Sequence, residues 1–274
     1  MTAARTIPLL TALALSACAL PGCAGRPQDY LAPPGDRVRM PAAPALESSA
    51  TQLGASREAR PIFVRTHGTG PARVLIIGLI HGDEPEVFER FDDLWLRLTT
   101  AGYGDRVTLD AIATMNPDGY EQRRRGNARG VDLNRNWPAA SFRPSRAHGP
   151  APLSEPEAAA VHRHIERTNP DVIIAFHATD GGPFVDPDGP ASDGALADAL
   201  AEAFVRAAQP NDASWRVHAD FTNPAGSLGT WYGQDLGRAV LTVELAPGTD
   251  PAAALAAATA GTLGVVRALA RQAR

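Results

Sequence analysis

The sequence predicts a single α/β domain built on a mixed, mostly parallel sheet with helices on both faces. Three apolar runs bounded by turn residues, Val74–Ile80, Asp171–Phe176 and Arg238–Val243, read as strands buried on both sides. Between them lie segments whose apolar residues recur at helical spacing, and such alternation favours a layered sheet covered by helices. The chain of 274 residues is 44% hydrophobic and 20% charged, the balance of a soluble globular protein with a sizeable core.

Taken in order, the chain opens with Arg5 and a short apolar stretch, Ile7–Leu15, followed by the small residues Ser16 and Ala17 and then Cys18. One positive charge ahead of a short apolar region describes an export signal, too short to span a membrane. Leu15-Ser16-Ala17-Cys18 also resembles the bacterial lipobox, in which the cysteine is lipidated; Leu20-Pro21-Gly22-Cys23 is a second candidate. Residues 1–23 are therefore expected to be a lipoprotein-type signal region, with Cys18 (or Cys23) as the lipid site. Residues 24–52, rich in Pro and Ala and without periodicity, are expected to be a linker. The catalytic domain is expected over residues 53–274.

Within that domain, Arg60–Val64 reads as a first strand. Val87, Phe88, Phe91, Leu94, Trp95 and Leu98 mark an amphipathic helix after the second. Val107–Met115 is the next strand, and a polar, glycine-punctuated loop follows from Asn116 to about Pro152. Ser154-Glu155-Pro156-Glu157 has the spacing of a capping box, so its acids are read as structural. Ala158, Val161 and Ile165 stripe the helix it opens; Leu196, Leu200 and Phe204 stripe another. An alanine-rich helix carrying Leu255, Leu263, Val266 and Leu269 closes the chain.

The formal net charge of -4 gives no case for nucleic acid, and no lysine is present, so every basic side chain is arginine. Both cysteines lie near the N-terminus, which excludes a disulfide or thiolate metal site from the folded part.

Three apolar strands end in chemistry-bearing residues: His81 with Glu84, His177, and Glu244. Ligands bind at the carboxyl ends of strands in open α/β sheets. Imidazole and carboxylate suit zinc, and a catalytic zinc takes three protein ligands and leaves one position open. One histidine after a strand means little, but three such strand ends on one rim are hard to reach by accident. His162 and His164 stand two apart on a helix and face different ways; His67, His148 and His218 are read as surface or loop residues.

The loop contributes Arg125-Gly126-Asn127 and Gly130–Trp137. Together with His81-Gly82-Asp83-Glu84, His177 and Thr242-Val243-Glu244-Leu245, these resemble the zinc carboxypeptidases of the M14 type. Order and spacing look closest to the murein peptide amidase branch, whose members cut the bond between γ-D-glutamate and diaminopimelate in cell-wall peptides. Leu53-Gly54-Ala55-Ser56 and Gly226–Trp231 also look like that branch. The resemblance implies one zinc per chain held by His81, Glu84 and His177. It further implies that Arg125 stabilises the oxyanion, that Asn134 and Arg135 grip the substrate's terminal carboxylate, and that Glu244 is the general base.

Where digestive carboxypeptidases carry a mobile tyrosine, this chain has Phe221, and Tyr232 does not inherit that role. Leu228 or Gly229 falls near the side-chain pocket, and neither is charged. Asp180, Asp186 and Asp220 are expected on loops within reach of it. The implied partners are a small peptide substrate and, through a lipid anchor only, a membrane. One rival is an aspartoacylase- or desuccinylase-like N-acyl amino acid deacylase, which generally carries an extra C-terminal β domain. Another is an inactive wall-peptide-binding protein, which would usually have lost a ligand or the base.

Overall fold

Eight strands form one sheet in the computed structural model, in the order β1-β2-β4-β3-β5-β8-β6-β7. They are β1 Ala50–Ala55, β2 Pro61–His67, β3 Ala72–Ile77, β4 Val107–Ile112, β5 Val172–Ala178, β6 Phe184–Asp188, β7 Arg216–Val217 and β8 Ala239–Leu245. The structure describes residues 50–189, 195–218 and 224–273, all within the compact unit Pro44–Arg274. The expected signal region, residues 24–49 of the linker, Cys18, Cys23, Asp220 and Phe221 lie outside the described residues. Three residues expected in the linker belong to the sheet: Ala50, Thr51 and Gln52 pair with Arg65, Val64 and Phe63 of β2, so backbone pairing extends the sheet into polar sequence.

The centre of the sheet is parallel. β4, β3, β5 and β8 run side by side in one direction, while β2 and β6 flank them antiparallel. Strand alternation divides the apolar side chains between two cores. Val74, Ile76, Ile174, Phe176, Leu241 and Val243 pack beneath helices α1 Phe91–Thr99, α4 Ala195–Ala208 and α5 Pro251–Gln272. Leu75, Ile77, Ile173, Ala175 and Val240 pack on the other side, against α3 Pro156–Thr168 and the aromatic pair Trp137 and Trp231. The same alternation sends His177 and Glu244, partners in the β5–β8 register, to this second face.

α5 is long and apolar enough to cross a membrane, yet Ala254, Leu255, Val265, Val266 and Leu269 are buried in the first core, as in a core helix.

Two expectations are corrected. The capping box does not form: Glu155 is the N-cap of α3 and caps with no side-chain bond. Ser154 Oγ accepts from Asn136 Nδ2 and donates to Glu155, while Glu157 accepts from the Arg57 backbone and from Asn127 Nδ2. These fully buried acids are structural, but what they hold is the Arg125–Asn136 loop and the turn after β1. Asp186 lies on β6 and not on a loop. Asp186-Pro187-Asp188 has the composition of a turn, but Pro187 is accommodated in a short strand whose pairing to β8 is antiparallel.

Candidate functional site

His81 stands four residues past β3, in a turn closed by Glu84 N–H donating to the His81 carbonyl (3.1 Å). Only glycine fits at position 82, because a Cβ there would lie 2.0 Å from the backbone of Gly119 in α2 Pro117–Glu121. Asn116 caps α2 through its side-chain oxygen and, through Nδ2, holds the carbonyls of Ile80 (2.9 Å) and Arg125 (3.1 Å). One buried amide thus ties the His81 turn to the loop that carries Arg125.

The structure brings His81, Glu84 and His177 together, with potential ligand atoms of all three within 4.8 Å of one another. His81 Nδ1 lies 2.9 Å from both Glu84 carboxylate oxygens, 3.1 Å from His177 Nδ1, and the latter is 3.0 Å from Glu84 Oε2. Two nitrogens each about 2.0–2.1 Å from one tetrahedral ion sit about 3.3 Å apart, so this spacing fits a shared zinc. Among the described residues no other cluster of three such side chains meets.

Charge points the same way. Burial alone would lower the His81 pKa, but the Glu84 charge and the bond to Asp132 raise it to about 9. The Glu84 carboxyl, despite burial, is held well below the usual carboxylate range by His81 and His177. The cluster therefore favours an added positive charge between its side chains, which a divalent cation supplies.

Asp132 is the residue that sequence reasoning left without a role. His81 Nε2 donates to its Oδ1 (3.0 Å), Arg125 Nε donates to its Oδ2 (2.9 Å), and the Asn134 backbone N–H donates to Oδ1 (2.8 Å). Burial acts against its charge, but His81, Arg125 and Arg135 hold its carboxyl well below the usual range. The carboxylate fixes the tautomer that leaves Nδ1 free as a ligand. Its place inside the Gly130–Asn136 motif was the signal available.

Arg125 also donates through Nη1 to Glu84 Oε1 (3.0 Å). Asn134 Oδ1 accepts from the Leu228 backbone (2.9 Å), which leaves its NH2 as the donor for the cleft. Arg135 Nη1 donates to the Asn134 carbonyl (2.8 Å). A cleft of about 160 Å³ is lined by all seven predicted site residues of the folded domain, together with Ser227, Gly229 and Thr242. Glu244 is 7% exposed, and its Oε2 has no hydrogen-bond partner; burial raises its carboxyl above the ordinary value, with Glu84 adding and His177 opposing. Leu228 is buried in the second core, so the cleft wall is Gly229. Tyr232 donates to the Pro170 carbonyl (2.6 Å) away from the cleft, in line with its exclusion from the site.

This arrangement has relatives. Murein peptide amidase A of Escherichia coli (strain K12) is 33% identical over 119 residues, covering 38% of this chain and 48% of that protein. The chain thus spans about half the length of the curated relatives it matches. Its fold is similar to murein-tripeptide amidase MpaA from Escherichia coli O157, with TM-score 0.55, 25% identity, and coverage of 82% of this chain and 92% of that one. It is also similar to bovine thrombin-activatable fibrinolysis inhibitor, with TM-score 0.66, 19% identity, and coverage of 81% and 90%. The family model described as zinc carboxypeptidase matches residues 96–255, a span that holds Arg125, Asp132, His177 and Glu244 and begins after His81 and Glu84. That match extends over more than half of the sequence, and the fold agrees with it across most of the rest: the chain belongs to the zinc carboxypeptidase family.

Proposed function

We propose that the chain is a zinc-dependent exopeptidase or amidase that hydrolyses an amide bond next to a free carboxylate. The observation that carries this reading is the convergence of His81, Glu84 and His177 on one point, with Glu244, Arg125, Asn134 and Arg135 lining the same cleft. His81 Nδ1, His177 Nδ1 and a Glu84 oxygen would hold the ion. Zinc bound there would acidify a water and polarise the scissile carbonyl.

The chain's own residues do the rest. Glu244, buried and without a partner on Oε2, accepts the proton of the attacking water and passes it to the leaving amine. Arg125, fixed by Asp132 and Glu84, meets the charge developing on the carbonyl oxygen; one such contact is worth on the order of 3 kcal/mol in the transition state. Asn134 and Arg135 receive the terminal carboxylate, which restricts cleavage to an end of the substrate.

The relatives named murein peptide amidase and murein-tripeptide amidase support a murein peptide as substrate, and the resemblance to that branch implies the bond between γ-D-glutamate and diaminopimelate. The test offers zinc-loaded enzyme L-Ala-γ-D-Glu-diaminopimelate beside L-peptides with apolar, basic and acidic C-terminal residues. Preference for the wall tripeptide is expected. Faster release of an ordinary residue would leave a general carboxypeptidase.

The N-terminal pattern supports export and lipid anchoring, with the domain facing the periplasm or the cell exterior. Cys18→Ser is expected to release the protein to the soluble fraction; continued lipidation of that variant would move the site to Cys23.

A further inference from the structure

Asp186 is a buried carboxylate, 2% exposed, that neither this chemistry nor a hydrogen bond to its Oδ2 accounts for. It pairs with Thr242 across the antiparallel β6–β8 register, two residues along from the Phe184–Glu244 pair. Side chains of directly opposed residues share a face, with Cβ atoms about 4.5–5.5 Å apart. Thr242 and Glu244 both line the cleft. Asp186 therefore stands behind the Thr242 wall, about 7 Å along the strand from the level of Glu244. Asp188 lies on the same face, and its Oδ2 accepts from Thr242 Oγ1 (3.2 Å).

Three carboxylates thus share one stretch of sheet face beside the cleft. Burial raises the Asp186 pKa to about 8, with Asp188 and Glu244 adding, and no basic group opposes them. A buried acid without a partner is costly, and a cation delivered by a ligand removes that cost. The three are not gathered as metal ligands: among the described residues only His81, Glu84 and His177 come close enough for that. An organic ammonium, reaching in on a long side chain past Thr242 and Gly229, fits better than a second metal ion.

We propose that Asp186 is a specificity residue that accepts a substrate ammonium group. The enzyme then selects a terminal residue that carries both the free carboxylate gripped by Arg135 and a second, amino-bearing end. This rests on the exopeptidase reading and narrows its substrate to the diamino acid class. Diaminopimelate belongs to that class, and so does lysine.

The experiment compares L-Ala-γ-D-Glu-L-lysine with L-Ala-γ-D-Glu-L-norleucine, which keeps lysine's alkyl chain and has hydrogen in place of the terminal ammonium. On zinc-loaded wild-type enzyme, kcat/KM is expected to favour the lysine peptide by about tenfold or more, the scale of one charge-assisted hydrogen bond. Asp186→Asn should collapse that ratio toward one. A structural role alone would lower both substrates together and leave the ratio standing. The wild-type ratio is readable even if the Asn variant fails to fold, and Asp186→Ser provides a second variant. A wild-type ratio near one, or a ratio unchanged in a folded variant, overturns the assignment while leaving the exopeptidase reading intact. If zinc-loaded enzyme cuts neither peptide, nor the diaminopimelate tripeptide, nor ordinary peptides, the exopeptidase reading fails and the assignment falls with it.

Discussion

Asp132 holds His81 at 3.0 Å through one carboxylate oxygen while its other oxygen holds Arg125 at 2.9 Å. A proposed zinc ligand and the proposed oxyanion donor are therefore positioned by one side chain. Asp132→Asn keeps the shape but weakens both bonds. Zinc affinity is expected to fall about tenfold to a hundredfold, as for other partners of metal-bound histidine. Competition against a chelator of known affinity measures it, and wild-type affinity in the variant would detach Asp132 from the metal centre.

His177→Ala should remove zinc and activity together, because two ligands hold zinc poorly where three are the usual minimum. Metal analysis of the purified variant is the check. Stoichiometric zinc with an intact fold would show that His177 is not a ligand.

Glu244→Gln should separate binding from chemistry. The amide cannot accept the proton, so kcat is expected to fall at least about a hundredfold while zinc content stays at one per chain. Near-normal turnover would remove Glu244 from the mechanism.

Asp186 makes a prediction about stability and pH. Its pKa in the fold is about 8, against an ordinary value near 3.9 in the unfolded chain. Between those values the folded protein keeps a proton that the unfolded chain has released, so this group's contribution falls as pH rises from about 4 to about 8. Asp186→Asn abolishes that slope. The Tm of the variant minus that of wild type, both zinc-saturated, should grow from pH 5 to pH 8. A constant difference would return Asp186 to an ordinary titration.

The strands that deliver the site were legible because β3, β5 and β8 are buried on both faces and read as unbroken apolar runs. β6 was not, since Asp186-Pro187-Asp188 has the composition of a turn, and the pairing that holds these three residues in a strand is to β8, while β7 pairs only with Phe184 and Val185. The His81, Glu84 and His177 cluster was legible as residue types following strands. The role of Asp132 was not, because it depends on a contact across 51 residues that spacing alone does not reveal. The Ser154–Glu157 spacing misled for a related reason. Local capping lost to long-range partners: Glu157 serves Arg57, 100 residues away, and Asn127.

Glu84 and His177 meet at 3.0 Å although 93 residues separate them. An ion held between them is a reversible cross-link over a long loop, comparable in its effect on the unfolded chain to a disulfide. The folded part has no cysteine with which to make a permanent one. Its resistance to unfolding is therefore set partly from outside, rising with free zinc as RT ln(1 + [Zn]/Kd). In a compartment that runs short of zinc, the enzyme would lose its hold on its own fold along with its catalyst, and idle copies would become the ones most open to proteolysis.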